Sequence, residues 1–592
     1  MNQIKTNNNL LLSHLPYLVF FIASFIYFGF FVDYILFYQE KSSLFIFSFD
    51  FLFENIQQPG GFLIWLGKLF STFFYYPLAG ALVVATILTL IVTNVTNIIR
   101  LLSGKNSIIV PFIMIGAALF FLQTDYRFLM YNNLGLLLQL ILFYVTIRYL
   151  TSLKGWIPVI IIPLWYFATG GFAWVYSLML TFHFVFDKEN KEWTKIVALW
   201  CLNLLIFYLS KEFFFFQPPK TLLTFPFAEL NTGSQTKLFL SVAGILSLLP
   251  VIARIRFSLP GKMRVSELTG GLITTTMVGI ILIIIGVQRF DKKTSQYFHV
   301  EKLFYQNRFE EIIAYNTNNP PTNSLTIFLN NIALCERDKL NDLLFSFPQS
   351  PDGKTLFLKW EMVGEILKRG GYFYYTIDMV NEANRWAFEN MVMKGHSPEG
   401  LKMLIRTELI NGNFKVASKY IAILKKTAFY KKEANAFEKL LFNDVAINAD
   451  PELGEKRQNR IESDFFSITD DPYINIERIL VTDSLNIKAF EYKLAFMLLK
   501  KDYQGIANEI PKFTSLGFTK LPVHIEEAAV ALSVFNNGKL PDLGKIQINN
   551  NTKLRWEQFL TLFQQYGTDP KAAEPALRRQ FGNTFWYYAF YR

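Results

Sequence analysis

The chain has 592 residues, 52% of them hydrophobic, and a formal charge of +11. The apolar excess lies almost entirely before Arg289, which excludes a single soluble domain and divides the sequence into two differently built halves. Much of the positive charge sits in short turns between apolar runs, whereas the second half is nearly balanced and has no basic block, so nucleic acid is not an expected partner.

Lipid offers backbone N–H and C=O groups no water, so each helical crossing needs about 20 apolar residues. Nine candidate spans follow in chain order, at about 16–37, 77–99, 108–122, 134–150, 156–169, 172–186, 196–209, 238–253 and 268–287. The pair around Gly170-Gly171 reads either as a helical hairpin or as one broken span. Alternate turns hold Arg100 and Lys105; Arg148 and Lys154; Lys188, Lys191 and Lys195; and Arg254, Arg256, Lys262 and Arg264. Positive residues are retained on the cytoplasmic side during insertion, so the pattern predicts an inner-membrane protein with a cytoplasmic N-terminus and an extracytoplasmic segment after Gln288. The first apolar run is long and lacks a small-residue cleavage site, so it reads as a retained span.

The loop at 38–76 is rich in phenylalanine. In LFIFSFDFLFENIQQPGG, Asp50, Glu54 and Gln57 fall at i, i+4 and i+7, which predicts one wet helix face with phenylalanines around the rest. After Pro59-Gly60-Gly61, FLIWLGKLFSTFFYY predicts a second helix with Lys68 and Thr72 on its wetter side. Both are expected to lie in the outer interface plane. Asp33 closes the first span and Glu40 follows it; Asp125 and Arg127 occupy the next outer loop. A carboxylate at the rim of a span is costly unless hydrated, paired or used, which makes Asp33 a candidate functional residue. A pair with Arg127, or a place in headgroup water, are the structural alternatives. The outer loop at 210–237 adds Lys211, Glu212, Lys220 and Glu229 among aromatics and prolines, and reads as a flap over a site or as an interfacial anchor.

From about 290 onward, helices of 10–16 residues alternate with short polar turns, so the expected class is all-α throughout: a transmembrane domain at 1–290 and a soluble helical domain at 291–592. Leu401, Leu404, Ile405 and Leu409 mark one helix face; Val416, Ala417, Tyr420, Ile421 and Leu424 mark the next, across Asn411-Gly412-Asn413-Phe414. A similar helix pair surrounds Asp502-Tyr503, and a fainter one lies near Phe309. These units resemble divergent tetratricopeptide-like repeats, which implies a stacked solenoid with a concave surface.

The layout of residues 10–290 resembles the GT-C class of membrane glycosyltransferases, which includes oligosaccharyltransferases. Shared features are the cytoplasmic N-terminus, two juxtamembrane helices in the first outer loop, an acidic residue where the first span exits, acids in the second loop, and a later outer flap. The resemblance implies catalytic roles for Asp33, or Glu40 in its place, and for Asp125. It implies that Arg127, Lys211 and Lys220 bind the phosphate of a polyprenyl-linked glycan donor, with an extracytoplasmic and conceivably protein acceptor. The class's second-loop pair of acids is not reproduced, since Arg127 stands where a partner carboxylate belongs, so no ligand motif supports a divalent metal. The chain also resembles an uncharacterised group of bacterial inner-membrane proteins with the same two-part build, which supplies no chemistry.

Other chemistries find no support. The five histidines are scattered without metal-ligand spacing, and no GxxxxGK[ST], GxSxG or HExxH occurs. The two cysteines, Cys201 and Cys335, fall in different halves and are not expected to pair. Matched halves with interrupted helices, expected of many transporters, are not evident. The alternative to an enzyme is a membrane scaffold that presents a helical-repeat domain to cell-envelope partners.

Overall fold

The computed structural model describes residues 2–103, 110–150, 155–186, 192–227, 233–254, 267–360, 365–460, 471–535, 538–567 and 569–592. Lys105, Lys154, Lys188, Lys191, Glu229, Arg256, Lys262 and Arg264 lie outside the described residues. Every regular element among the described residues is a helix. The chain forms two compact units, Met1–Asp291 with Lys426–Phe429, and Lys292–Lys425 with Tyr430–Arg592.

In the first unit, five helices among the described residues are long and apolar enough to cross a membrane: His14–Phe31, Pro77–Ser103, Met130–Leu150, Trp193–Phe214 and Leu272–Arg289. The expected nine is therefore corrected to five, for two physical reasons. Val110–Gln123 and Ala173–Val185 have 14 and 13 residues. At 1.5 Å per residue they extend about 20 Å, short of a hydrocarbon core of about 30 Å. The other two runs are interrupted. The run at 156–169 is split into Ile157–Ile160 and Ile162–Thr169, each with proline in its first turn. The run at 238–253 is split into Gly233–Ser247 and Leu249–Ile252, the second again opened by a proline. Proline has no N–H to continue the helical ladder, so an apolar run can be unbroken in hydropathy yet broken as a helix.

Gly170-Gly171 is an elbow between Ile162–Thr169 and Ala173–Val185. Gly170 has φ 59°, and a Cβ there would stand 2.6 Å from the Phe225 carbonyl oxygen and 2.9 Å from that of Pro59, so three chain segments meet where only glycine fits. The Gly60 N–H donates to Phe167 O at 2.9 Å and the Gly171 N–H to Phe225 O at 2.8 Å. Tyr166 Oη adds a bond to Leu222 O at 2.7 Å.

Buried amides cross the same unit. Asn133 Nδ2 donates to Gln123 Oε1 at 2.6 Å, and Trp165 Nε1 donates to Gln139 Oε1 at 2.6 Å. Gln123, Asn132, Asn133 and Gln139 are all essentially inaccessible.

The second unit follows ordinary soluble-helix rules. Ser397 caps Pro398–Ile410 by accepting the Gly400 N–H, Asn486 caps Ile487–Lys500 through Ala489, and Asp502 caps Tyr503–Ser515 through Gly505. Leu401, Leu404, Ile405 and Leu409 are buried together, as are Ala417, Ile421 and Leu424, while Val416 faces outward at 37% exposure. The helices Glu365–Thr376, Val380–Lys394, Pro398–Ile410 and Phe414–Lys425 each pack on the next. Gly370 and Gly371 let Trp386 approach the first of these: a Cβ on Gly371 would stand 2.9 Å from Trp386 Cβ. Among the described residues Cys201 and Cys335 are both free.

Two ion-pair systems tie helices of this unit together. Arg369 Nη2 meets Glu301 at 2.6 Å, with both side chains essentially inaccessible, and Glu301 also accepts the Tyr305 hydroxyl at 2.5 Å. Lys493 Nζ lies 3.0 Å from both Glu477 and Glu509, and Lys512 reaches Glu509 at 2.6 Å. Burial alone would raise the Glu509 pKa, but hydrogen bonds from Lys512 and Lys493 outweigh it and hold the carboxyl below its usual value. A depressed carboxyl pKa stabilises the fold above the unfolded glutamate value of about 4.3, and that contribution is lost as pH falls through the folded value. Acidification below about pH 4 is therefore expected to loosen Ile487–Lys500 against Tyr503–Ser515. Amide-exchange protection factors at pH 6 and pH 3.5 check this; equal protection of both helices would contradict it.

Candidate functional site at one end of the apolar helices

Asp33 opens the helix Asp33–Ser42, directly after the π-turn Tyr27–Phe31 that ends the first long helix. An acid in the first turn is favoured by the unsatisfied N–H groups there, independently of any catalytic use. Asp33 is half-buried, and among the described residues it has no ion-pair partner; in particular it does not pair with Arg127. Its neighbour Tyr34 is buried beside Tyr27, Arg289 and Asp291, and shares a hydrogen bond with the Asp291 backbone. Burial, reinforced by Tyr27 and Asp291, pushes the Tyr34 phenol well above its ordinary value, so it stays protonated.

The segment 124–128 lies at the same end. Arg289 Nε donates to Thr124 Oγ1 at 3.0 Å, and its guanidinium covers the Phe121 ring at 4.6 Å. Gln39 Nε2 donates to Phe128 O at 2.9 Å and to Tyr126 O at 3.3 Å, and the Tyr38 ring meets Tyr126 edge-on at 4.7 Å. The helix that Asp33 opens is thereby fixed onto the loop that carries Asp125.

Both oxygens of Asp125 are engaged. Oδ1 accepts the Arg127 N–H at 2.8 Å, and Oδ2 accepts Gln235 Nε2 from the start of Gly233–Ser247. The Arg127 Nε donates to Tyr126 Oη at 3.1 Å, and its guanidinium lies over that ring. Burial opposes its charge, but Tyr126 and the Asp125 carboxylate outweigh that and raise its pKa.

The remaining candidates are placed differently. Glu40 is buried, 3.5 Å from Lys41 Nζ. Lys211 pairs with Glu212 at 2.6 Å on an exposed π-turn. Lys220 is exposed on the short helix Pro219–Thr224, whose Leu222 carbonyl accepts the Tyr166 hydroxyl from Ile162–Thr169. Among the described residues, Lys211 and Lys220 contact none of Asp33, Asp125 or Arg127. No group of three or more His, Cys, Asp or Glu among the described residues could hold a metal ion.

Around these residues the surface is aromatic. Phe47, Phe49, Phe53, Phe62, Phe213, Phe214 and Phe216 are all exposed. Asp50 and Glu54 are exposed on Phe49–Asn55, whereas Gln57 falls beyond its end; Phe49 and Phe53 share that exposure, so the helix is less divided into wet and apolar faces than its spacing predicts. In the helix Gly61–Ser71, Lys68 Nζ donates to Asn55 Oδ1 at 3.3 Å. The residues missed from the sequence are Gln39, Gln235 and Arg289, which hold the rim together from three distant positions.

No curated protein and no solved structure matches the chain. A family model described as a family of unknown function, DUF6057, matches residues 8–592, and the chain accordingly belongs to that family.

Proposed function

We propose that the chain is a membrane glycosyltransferase of GT-C type, working at the outer face of a cytoplasmic membrane and drawing a sugar from a polyprenyl-phosphate-linked donor. The observation that carries the reading is the junction of the Asp33 helix with the Asp125 loop through Gln39 and Arg289. A lipid-linked donor keeps its tail in the bilayer and its phosphate at the interface, so reacting groups must gather at that depth. Phe30 and Phe31, exposed just before Asp33, suit that depth.

In this reading Asp33, without an ion-pair partner among the described residues, accepts the proton of the acceptor nucleophile as its oxygen or nitrogen bonds to the anomeric carbon. The bond from that carbon to the donor's phosphate oxygen breaks, and the phosphate leaves with the electron pair. Arg127 stabilises the departing charge, oriented by Tyr126 and the backbone turn that Asp125 closes. Lys211 and Lys220 belong to the flap and would meet the donor only on its closure. The helix pairs of the second unit would stack as an extracytoplasmic solenoid that receives an acceptor or an envelope partner.

A membrane scaffold is the second reading, favoured by one observation: the Asp125 oxygens are both occupied internally, as a purely structural acid would be. Profiling lipid-linked glycans and surface glycoproteins in a deletion strain separates the two. The enzyme reading expects accumulated donor and loss of a glycan from its acceptor; an unchanged profile favours the scaffold.

A further inference from the structure

The second unit contains a cavity of about 380 Å³ that the candidate membrane site does not use. That is within the range of about 300–1,000 Å³ typical of small-molecule sites. One wall is aromatic: Phe304, Tyr305, Tyr372 and Tyr375 line it, with the Phe304 and Tyr372 rings edge-on at 5.0 Å. The other is charged, and its cations are already matched. Arg406 lies 3.3 Å from Glu452, Lys488 lies 2.8 Å from Glu336, Lys456 donates to Asp378 at 2.9 Å, and Arg337 lies 3.7 Å from Glu310. Glu452 also accepts the Tyr375 hydroxyl at 2.7 Å, and the rim residue Glu455 stands 3.8 Å from Lys488.

This arrangement discriminates among ligand classes. Four lining carboxylates, Glu336, Glu399, Glu452 and Glu455, balance four lining cations, Arg337, Arg406, Lys456 and Lys488, so neither an anion nor a cation meets an uncompensated charge. A ligand with many hydroxyls needs no net charge to match. Each hydroxyl donates to a carboxylate lone pair and accepts from a guanidinium or ammonium N–H, using capacity that an ion pair leaves over. The C–H faces of a pyranose ring are apolar and suit the face of a single aromatic ring. A peptide of the same size presents fewer hydroxyls, and among the described residues Asn307 is the only amide side chain lining the cavity.

We propose that this cavity binds a neutral carbohydrate of one or two pyranose rings, stacked on Tyr372 and hydrogen-bonded by Glu452, Arg406 and Glu455. The inference stands on the cavity alone and does not require glycosyl transfer in the membrane unit.

The test uses the full chain in phosphatidylcholine nanodiscs, free of sugar detergents. Saturation-transfer NMR is recorded with cellobiose, maltose and N,N′-diacetylchitobiose, with glucose 6-phosphate and acetyl-trialanine amide as comparison probes. At least one neutral disaccharide should bind saturably, and more tightly than either comparison probe. Tyr372→Ala should weaken that binding about tenfold or more through loss of the stacking face. Because Tyr372→Ala could disturb packing, Glu455→Gln is the second variant: its side chain is 55% exposed, and it should weaken binding severalfold at unchanged melting temperature. Asp125→Asn, in the membrane unit, should leave binding intact, so failure of the transfer reading and failure of this one are distinguishable. The proposal is overturned by no disaccharide binding, by preference for the peptide or the phosphate, by binding indifferent to both cavity variants, or by binding lost in Asp125→Asn.

Discussion

Asp33→Asn is expected to lower glycosyl transfer at least about 100-fold, measured as movement of labelled glycan from polyprenyl-linked donor to acceptor in membrane vesicles. The amide has nearly the same shape and keeps a place in the first turn of Asp33–Ser42, but it cannot accept a proton at neutral pH. Because Asp33 has no ion-pair partner among the described residues, the change strands no buried cation, and the protein should insert and fold normally. Asp125→Asn is expected to act differently. Its remaining oxygen can still accept the Arg127 N–H, but its new NH₂ confronts the Gln235 amide, which must turn over to offer its oxygen. Such a flip preserves the loop while removing the charge beside Arg127, so the loss should fall mainly on donor affinity. Glu212→Gln, which only frees exposed Lys211, should matter little. Transfer at the wild-type rate in both Asp33→Asn and Asp125→Asn would sink the enzymatic reading.

The second large effect concerns stability. Arg369→Met is expected to destabilise the second unit by about 3–5 kcal/mol, because it leaves Glu301 buried without its cation. Glu301→Gln should be comparably damaging for the converse reason: the guanidinium would retain only Glu365, which is partly exposed. The double variant Glu301→Gln/Arg369→Met should recover much of the loss, since removing both charges avoids an uncompensated one. Denaturant titration followed by amide exchange in Lys292–Tyr305 and Glu365–Thr376 measures this without confusing it with unfolding of the membrane unit. If the double variant is as unstable as the sum of the singles, the pair is not the source of the effect.

The helices of the second unit were legible because their signals are local. Ser397, Asn486 and Asp502 cap the helices they precede, and the 401–409 stripe is buried as its period demands. The number of long helices was not legible, because hydropathy counts apolar residues and ignores continuity of the hydrogen-bond ladder. Pro158, Pro163 and Pro250 sit uncharged inside apolar runs and barely lower their mean hydropathy, yet each stands in the first turn of a new helix. At the rim, Asp125 and Arg127 could be read together because they are two residues apart. Gln235 and Arg289, which fix that loop, come from positions 110 and 165 residues distant from their partners Asp125 and Thr124. An amide amid apolar sequence gives no charge signal. The aromatic cavity was equally hidden: its walls come from helices brought together only by the tertiary fold.

The buried amides of the first unit have a consequence for biogenesis. The long helix Met130–Leu150 carries Asn133 and Gln139, so entering lipid alone would expose two amides without the side-chain partners they have in the fold. Asn133 finds Gln123 on the preceding segment, and Gln139 finds the Trp165 indole on the following one. Those two segments are too short or too interrupted to cross independently. Entry of Met130–Leu150 into lipid is therefore expected to cost less in company with these two neighbours than alone.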